Sequence, residues 1–215
     1  MEIRSALVRG GIALLVFVGL MGPATLVATG QEASPVAAPQ MATPVAGAPL
    51  DVPLVDASGA AVGLATFSED AAGVTLILLV EGLTPGEHGW HLHEMGVCDP
   101  GGAEPFDSAG EHWNPTAMMH GGPDDPEHHA GDFGNLTASE AGLAEAEITT
   151  TDFSLGEGPN SVFDEDGTAI ILHTGMDDLT TQPDGDAGAR FACGVVAEPM
   201  TMPAATPAGM ATPVA

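Results

Sequence analysis

The chain has 215 residues, 44% hydrophobic and 4% aromatic, with no tyrosine, so a core is expected to rest on Val, Leu, Ile and Ala. Its 30 acidic residues face 3 basic ones, a formal charge of -27 at pH 7, and Arg4, Arg9 and Arg190 are the whole basic complement. That balance excludes a nucleic-acid binder, which needs a cationic footprint, and repels an anionic membrane surface; it suits a solvated, highly soluble exterior.

Residues 1–30 have the pattern of an export signal. Arg4 and Arg9 flank the start, residues 11–20 are apolar, and Ala28-Thr29-Gly30 offers small residues for cleavage before Gln31. An uncleaved membrane anchor is the competing reading, because apolar residues continue to Ala28. Cleavage removes Glu2, Arg4 and Arg9 and leaves Arg190 as the one base of the mature chain. Export to the periplasm or cell exterior also places Cys98 and Cys193 where thiols can pair and stay paired.

Residues 31–49 and 198–215 are rich in Ala, Pro and Thr, and Met-Ala-Thr-Pro-Val-Ala occurs in both, at 41–46 and 210–215. Proline at this density opposes regular ladders, so both segments are expected to be extended, solvated spacers. Between them, residues 50–197 read as one domain.

Short runs rich in β-branched residues predict strands over 51–55, 60–67, 73–80, 88–93, 131–138, 144–151, 168–173 and 189–196. Turn signals such as Ala57-Ser58-Gly59 and Glu165-Asp166-Gly167 separate them. The expected fold class is all-β, an eight-stranded Greek-key barrel or sandwich with two long functional loops, near 95–130 and 174–188. Leu76 to Val80 is apolar on both faces of its strand, which fits either a homodimer contact or a face covered by a loop.

Seven of the eight histidines fall within residues 88–129. His91 and His93 lie two apart on a predicted strand, so both rings share a face and can chelate one ion. His120, His129 and Asp132 crowd the end of the first long loop; three N/O donors with one more would complete a tetrahedral zinc site. His112 lies between the two sets. Imidazole suits copper and zinc alike, so spacing alone does not name the metal.

The segment Gly86-Glu87-His88-Gly89-Trp90-His91-Leu92-His93-Glu94 resembles a signature of the copper/zinc superoxide dismutase family, with Trp90 where Phe is usual. Ser108-Ala109-Gly110-Glu111-His112-Trp113-Asn114-Pro115, His120-Gly121-Gly122-Pro123, His129 to Asn135 and Gly185 to Val195 continue the resemblance in order, over about residues 50–197. It implies a superoxide-consuming enzyme with copper and zinc as cofactors. His91, His93, His112 and His173 would hold copper. His112, shared, would join His120, His129 and Asp132 on zinc. Asp177 would tie His91 to His120, Arg190 would dock the superoxide anion, and Cys98 would pair with Cys193. His88 matches a hydrogen-bonded structural position, and His128 has no assigned role. Asp177, Asp178, Asp184 and Asp186 give the second loop an acidic character, with Asp184 where the family often has Thr; weak or adverse steering of an anion follows. A non-catalytic extracytoplasmic metal-binding module is the alternative reading. Asn135-Leu136-Thr137 also fits a glycosylation sequon, on a predicted strand start.

Overall fold

A computed structural model describes residues 48–200 of the chain. The export signal or anchor expected over 1–30, and nearly all of both Ala/Pro/Thr-rich segments, lie outside that range. Among the described residues no helix is long and apolar enough to cross a membrane.

Eight strands form: β1 (Leu50–Asp56), β2 (Ala61–Asp70), β3 (Gly73–Glu81), β4 (Gly86–His93), β5 (Asp132–Ala138), β6 (Leu143–Thr150), β7 (Thr168–His173) and β8 (Arg190–Ala197). They pair antiparallel in one sheet, ordered β5-β4-β7-β8-β1-β2-β3-β6. The edge strands β5 and β6 pack together and bring the sheet round into a nearly closed barrel. The chain crosses the barrel from β3 to β4 and from β6 to β7, while β5 runs directly into its barrel neighbour β6, which is Greek-key connectivity. Every expected strand is present, with ends shifted by a few residues. β2, for instance, runs on because Ser68, Glu69 and Asp70 continue to pair with Thr75, Val74 and Gly73.

The turn between β1 and β2 closes as its sequence indicates. Asp56 Oδ1 accepts hydrogen bonds from the backbone N–H of Ser58 (2.8 Å) and Ala60 (3.0 Å), while Gly59 adopts a φ of 81°. Alternation along β3 sends Val74, Leu76, Leu78 and Val80 inward, against Leu54, Phe67, Leu92 and Leu172. The core is not purely aliphatic, however. Phe67, Phe153, Trp113, Phe133 and Trp90 form a chain of ring contacts with centroids 5.0–6.5 Å apart. The few aromatics are concentrated where large rings fill a barrel best.

Two corrections concern surfaces and loops. Among the described residues no loop covers β3: Leu79 is 48% exposed and lies with Leu64 and Leu143 on an open apolar patch. A third connection, residues 151–167, is as long as the second of the expected loops. It carries no histidine; it buries Phe153 and Val162, and its Asp164 accepts a hydrogen bond from Trp113 Nε1 (3.0 Å). Its work is to pack the barrel end, a role that polar turn residues do not announce in sequence.

Candidate metal centre

Along β4, Trp90 and Leu92 enter the core, so the period of two turns His91 and His93 to the opposite face. That outer face is not open to water. Phe106 and Ala109 of the first long loop pack there on Ala169 and Ile171 of β7 and Cys193 of β8. A disulfide between Cys98 and Cys193, with Cα atoms 5.7 Å apart, fastens the loop to β8. His91 and His93 are consequently buried.

The same loop then returns beside the end of β4. Glu94 N–H donates to Glu111 O (3.0 Å) and Trp113 N–H to Leu92 O (2.8 Å), so His112 pairs across from His93. The His112 ring stacks on His91, with centroids 3.9 Å apart. His173 ends β7 opposite Arg190, the first residue of β8. Two groups result: His91, His93, His112 and His173, and then His112, His120, His129 and Asp132. Within each, one donor atom per residue lies within 4.8 Å of the others, and every member is buried.

Hydrogen bonds decide which ring atom each histidine offers. His91 Nε2–H donates to Asp177 Oδ2 (2.8 Å), His93 Nδ1–H to Gly110 O (2.9 Å) and His173 Nδ1–H to Gly188 O (3.0 Å). A nitrogen that donates leaves the other nitrogen of a neutral ring with its lone pair. Those remaining atoms, His91 Nδ1, His93 Nε2 and His173 Nε2, together with His112 Nε2, are buried without any partner. Four unsatisfied buried acceptors in one place would be costly in a group with no further role. In the second group His120 Nε2–H donates to Asp177 Oδ1 (3.0 Å). His120 Nδ1 and His129 Nδ1 lie 3.0 and 3.4 Å from Asp132 but make no hydrogen bond with it. His112 Nδ1 is 2.8 Å from Asp132 Oδ1. Asp132 is held by the backbone N–H of His129 (2.9 Å) and Gly121 (3.2 Å). Four imidazole nitrogens fit copper, and three with a carboxylate fit tetrahedral zinc.

Electrostatics separate the groups further. Burial, reinforced by neighbouring His112, lowers His91 to about 3 and His173 to about 4, and it pushes His93 well below its ordinary value. These rings are neutral at pH 7 and ready to ligate. Burial acts the same way on His120, but the close carboxylates of Asp132 (3.0 Å from Nδ1) and Asp177 (hydrogen-bonded to Nε2) outweigh it and raise this ring to about 10. Burial favours the acid forms of Asp132 and Asp177, yet their hydrogen bonds to histidines hold both well below the carboxylate range.

Arg190 donates from Nη1 to Phe106 O and from Nη2 to Gly110 O (2.6 Å). Gly110 O is also the acceptor that orients His93, so one carbonyl ties the guanidinium to the four-imidazole group. His88 joins neither group; its ring nitrogens lie 2.9 Å from His173 O and 2.8 Å from Thr84 O. His128 Nδ1 lies 2.8 Å from Asp125 O, away from both groups.

Two side-chain amides, Asn135 and Gln182, support the site in ways their local sequence does not indicate. Asn135 Nδ2 donates to Asp177 O and Asn135 Oδ1 accepts from Asp177 N–H, both at 2.8 Å; this part-buried amide is occupied within the fold, on the strand where the sequon was expected to lie. Gln182 makes a similar pair with the backbone of His120. Neither contact has a sequence signal, because each acts on a residue dozens of positions away.

Residues 61–196 match the family model described as copper/zinc superoxide dismutase. Among curated relatives, "Superoxide dismutase [Cu-Zn] 2" of Aquifex aeolicus is 38% identical over 147 residues, covering 66% of this chain and 83% of the relative. The protein of the same name from Mesembryanthemum crystallinum is 36% identical over 152 residues, covering 67% and 92%. Among solved structures, a SOD-like protein from Bacillus subtilis aligns with a TM-score of 0.62 at 37% identity, covering 68% of this chain and 97% of that one. The Cu/Zn superoxide dismutase of Brucella abortus aligns with a TM-score of 0.58 at 29% identity, covering 69% and 99%.

Proposed function

Because the chain belongs to the copper/zinc superoxide dismutase family, an oxidoreductase family with copper and zinc as cofactors, we propose that it dismutes superoxide outside the cytosol. Two superoxide anions and two protons give one oxygen and one hydrogen peroxide. His91, His93, His112 and His173 hold copper; His112, His120, His129 and Asp132 hold zinc. Copper supplies one-electron redox chemistry when bound, and zinc, being d¹⁰, supplies geometry and charge.

The chain's own residues do the rest. Arg190 keeps a permanently charged fork at the four-imidazole group, and its remaining N–H donors receive the anion. His112 shares its ring between the groups, and Nε2 is the atom at which it takes a proton and passes it to the departing peroxide. Asp177 holds His91 and His120 in matched orientations, the part outer carboxylates commonly play around metal-bound histidines. Asp184 acts against anion arrival: its charge reaches His173.

The carrying observation is the convergence of four unpartnered, buried imidazole nitrogens beside Arg190. Export accords with the Cys98–Cys193 disulfide, which persists in oxidising compartments. The open Leu64, Leu79 and Leu143 patch offers a homodimer a contact surface. The test is Arg190→Ala. A dismutase should retain both metals by elemental analysis and lose most of its superoxide-consuming rate; an unchanged rate would contradict anion docking and favour a non-catalytic metal-binding module.

A further inference from the structure

The second long loop does more than carry Asp177. Gln182 Oε1 accepts a hydrogen bond from His120 N–H (2.9 Å), and Gln182 Nε2 donates to His120 O (2.8 Å). The amide thereby satisfies both backbone groups of one residue, as a neighbouring strand would. The loop that presents it is tightly closed on itself. Asp178 accepts from the backbone N–H of Thr180 (2.9 Å) and Thr181 (2.7 Å), Gly185 N–H donates to Thr181 O (2.8 Å), and Asp178 N–H donates to Gly185 O (2.8 Å). Gly185, at a φ of 67°, lies so close to the Asp177–His120 contact that a Cβ there would sit 2.7 Å from His120 Nε2 and collide with Asp177. His120 is therefore held at three points by this loop: Nε2 by Asp177, and N–H and C=O by Gln182. Its Nδ1 stays directed at Asp132 (3.0 Å).

We propose that Gln182 is a positioning residue for the three-histidine, one-carboxylate group, locking His120 from the second long loop and slowing release of the metal held there. The four-imidazole group does not depend on it, since His93 and His173 are oriented by Gly110 O and Gly188 O instead. The proposal rests on the metal-group reading above.

Gln182→Ala and Gln182→Met separate the hydrogen bonds from the stem, because Met keeps the length and loses both bonds. Gln182 is exposed, so both variants should fold. Amide hydrogen exchange at His120, in metal-free full-length protein, should accelerate in both. In protein loaded with copper and with cobalt(II) in the zinc position, cobalt release to a chelator should quicken by roughly tenfold to a hundredfold. The cobalt visible band should shift, and copper release should stay at the parent rate. Parent-like cobalt release in both variants, acceleration in Ala but not Met, or equal acceleration of both metals would overturn the proposal. A parent protein that takes up no cobalt would instead overturn the metal-group reading, while His120 exchange still tests the clamp.

Discussion

The two histidine groups share His112 and differ in almost everything else. The four-imidazole group contains no carboxylate, and backbone carbonyls orient two of its rings. The proton affinity of His91, His93 and His173 is low because burial dominates. The second group is built round Asp132, with Asp177 behind it, and there two carboxylates overcome burial to raise His120. Within a few ångströms the protein makes three rings, His91, His93 and His173, that are neutral unaided and one, His120, that keeps its proton until a metal displaces it. Desolvation acts on both; the number of carboxylates in contact sets the sign.

Removing the shared ring should break the comparison most. His112→Ala is expected to abolish activity and weaken copper and zinc retention together. His93→Ala should abolish activity while leaving zinc retained. Elemental analysis with a superoxide assay distinguishes them, and zinc loss from the His93 variant would deny that the groups are separable.

Proton release sharpens the difference. At pH 7, zinc uptake should expel about one proton, from His120 with its pKa of about 10, whereas uptake at the four-imidazole group should expel almost none. Calorimetry in buffers of differing ionisation enthalpy measures both. The metal-free protein should follow the same signs. His91, His93 and His173 have lowered values in the folded state, so their contribution is present above about pH 6.5 and is lost as pH falls towards 4. His120 has a raised value, so its contribution is full below about pH 6.5 and is lost as pH rises towards 10. Urea unfolding across that range should show stability declining on either side of the neutral region, and a curve rising steadily to pH 10 would contradict the His120 assignment.

The smallest expected effect concerns the surface around both groups. Arg190 is the only Lys or Arg among the described residues, and acids dominate elsewhere. Moderate salt should therefore raise the second-order rate with superoxide or leave it unchanged, because screening weakens repulsion at long range. A steep fall in rate with ionic strength would show that attraction prevails.

Much of the barrel was legible because strand alternation is a local property. In β3, by contrast, Leu76 to Val80 is apolar on both faces, and only the barrel decided that Leu76, Leu78 and Val80 turn inward. The connection over 151–167 was not legible as packing, since Phe153 acquires its role only from Phe67, Trp113 and Phe133, which lie on other segments. Asn135 is the sharpest case: its sequon is a true local pattern, but the side chain is claimed by Asp177, 42 residues away.

By itself the sequence determined the donor types, the common face of His91 and His93, and the acidic setting of a lone arginine. Composition and a period of two are carried by neighbouring residues. Only the tertiary structure decided which nitrogen each ring presents and which rings are neutral. Those depend on the Gly110 and Gly188 carbonyls and on Asp177, brought from distant loops to a buried face of β4 where an unpaired proton or lone pair has nowhere else to go.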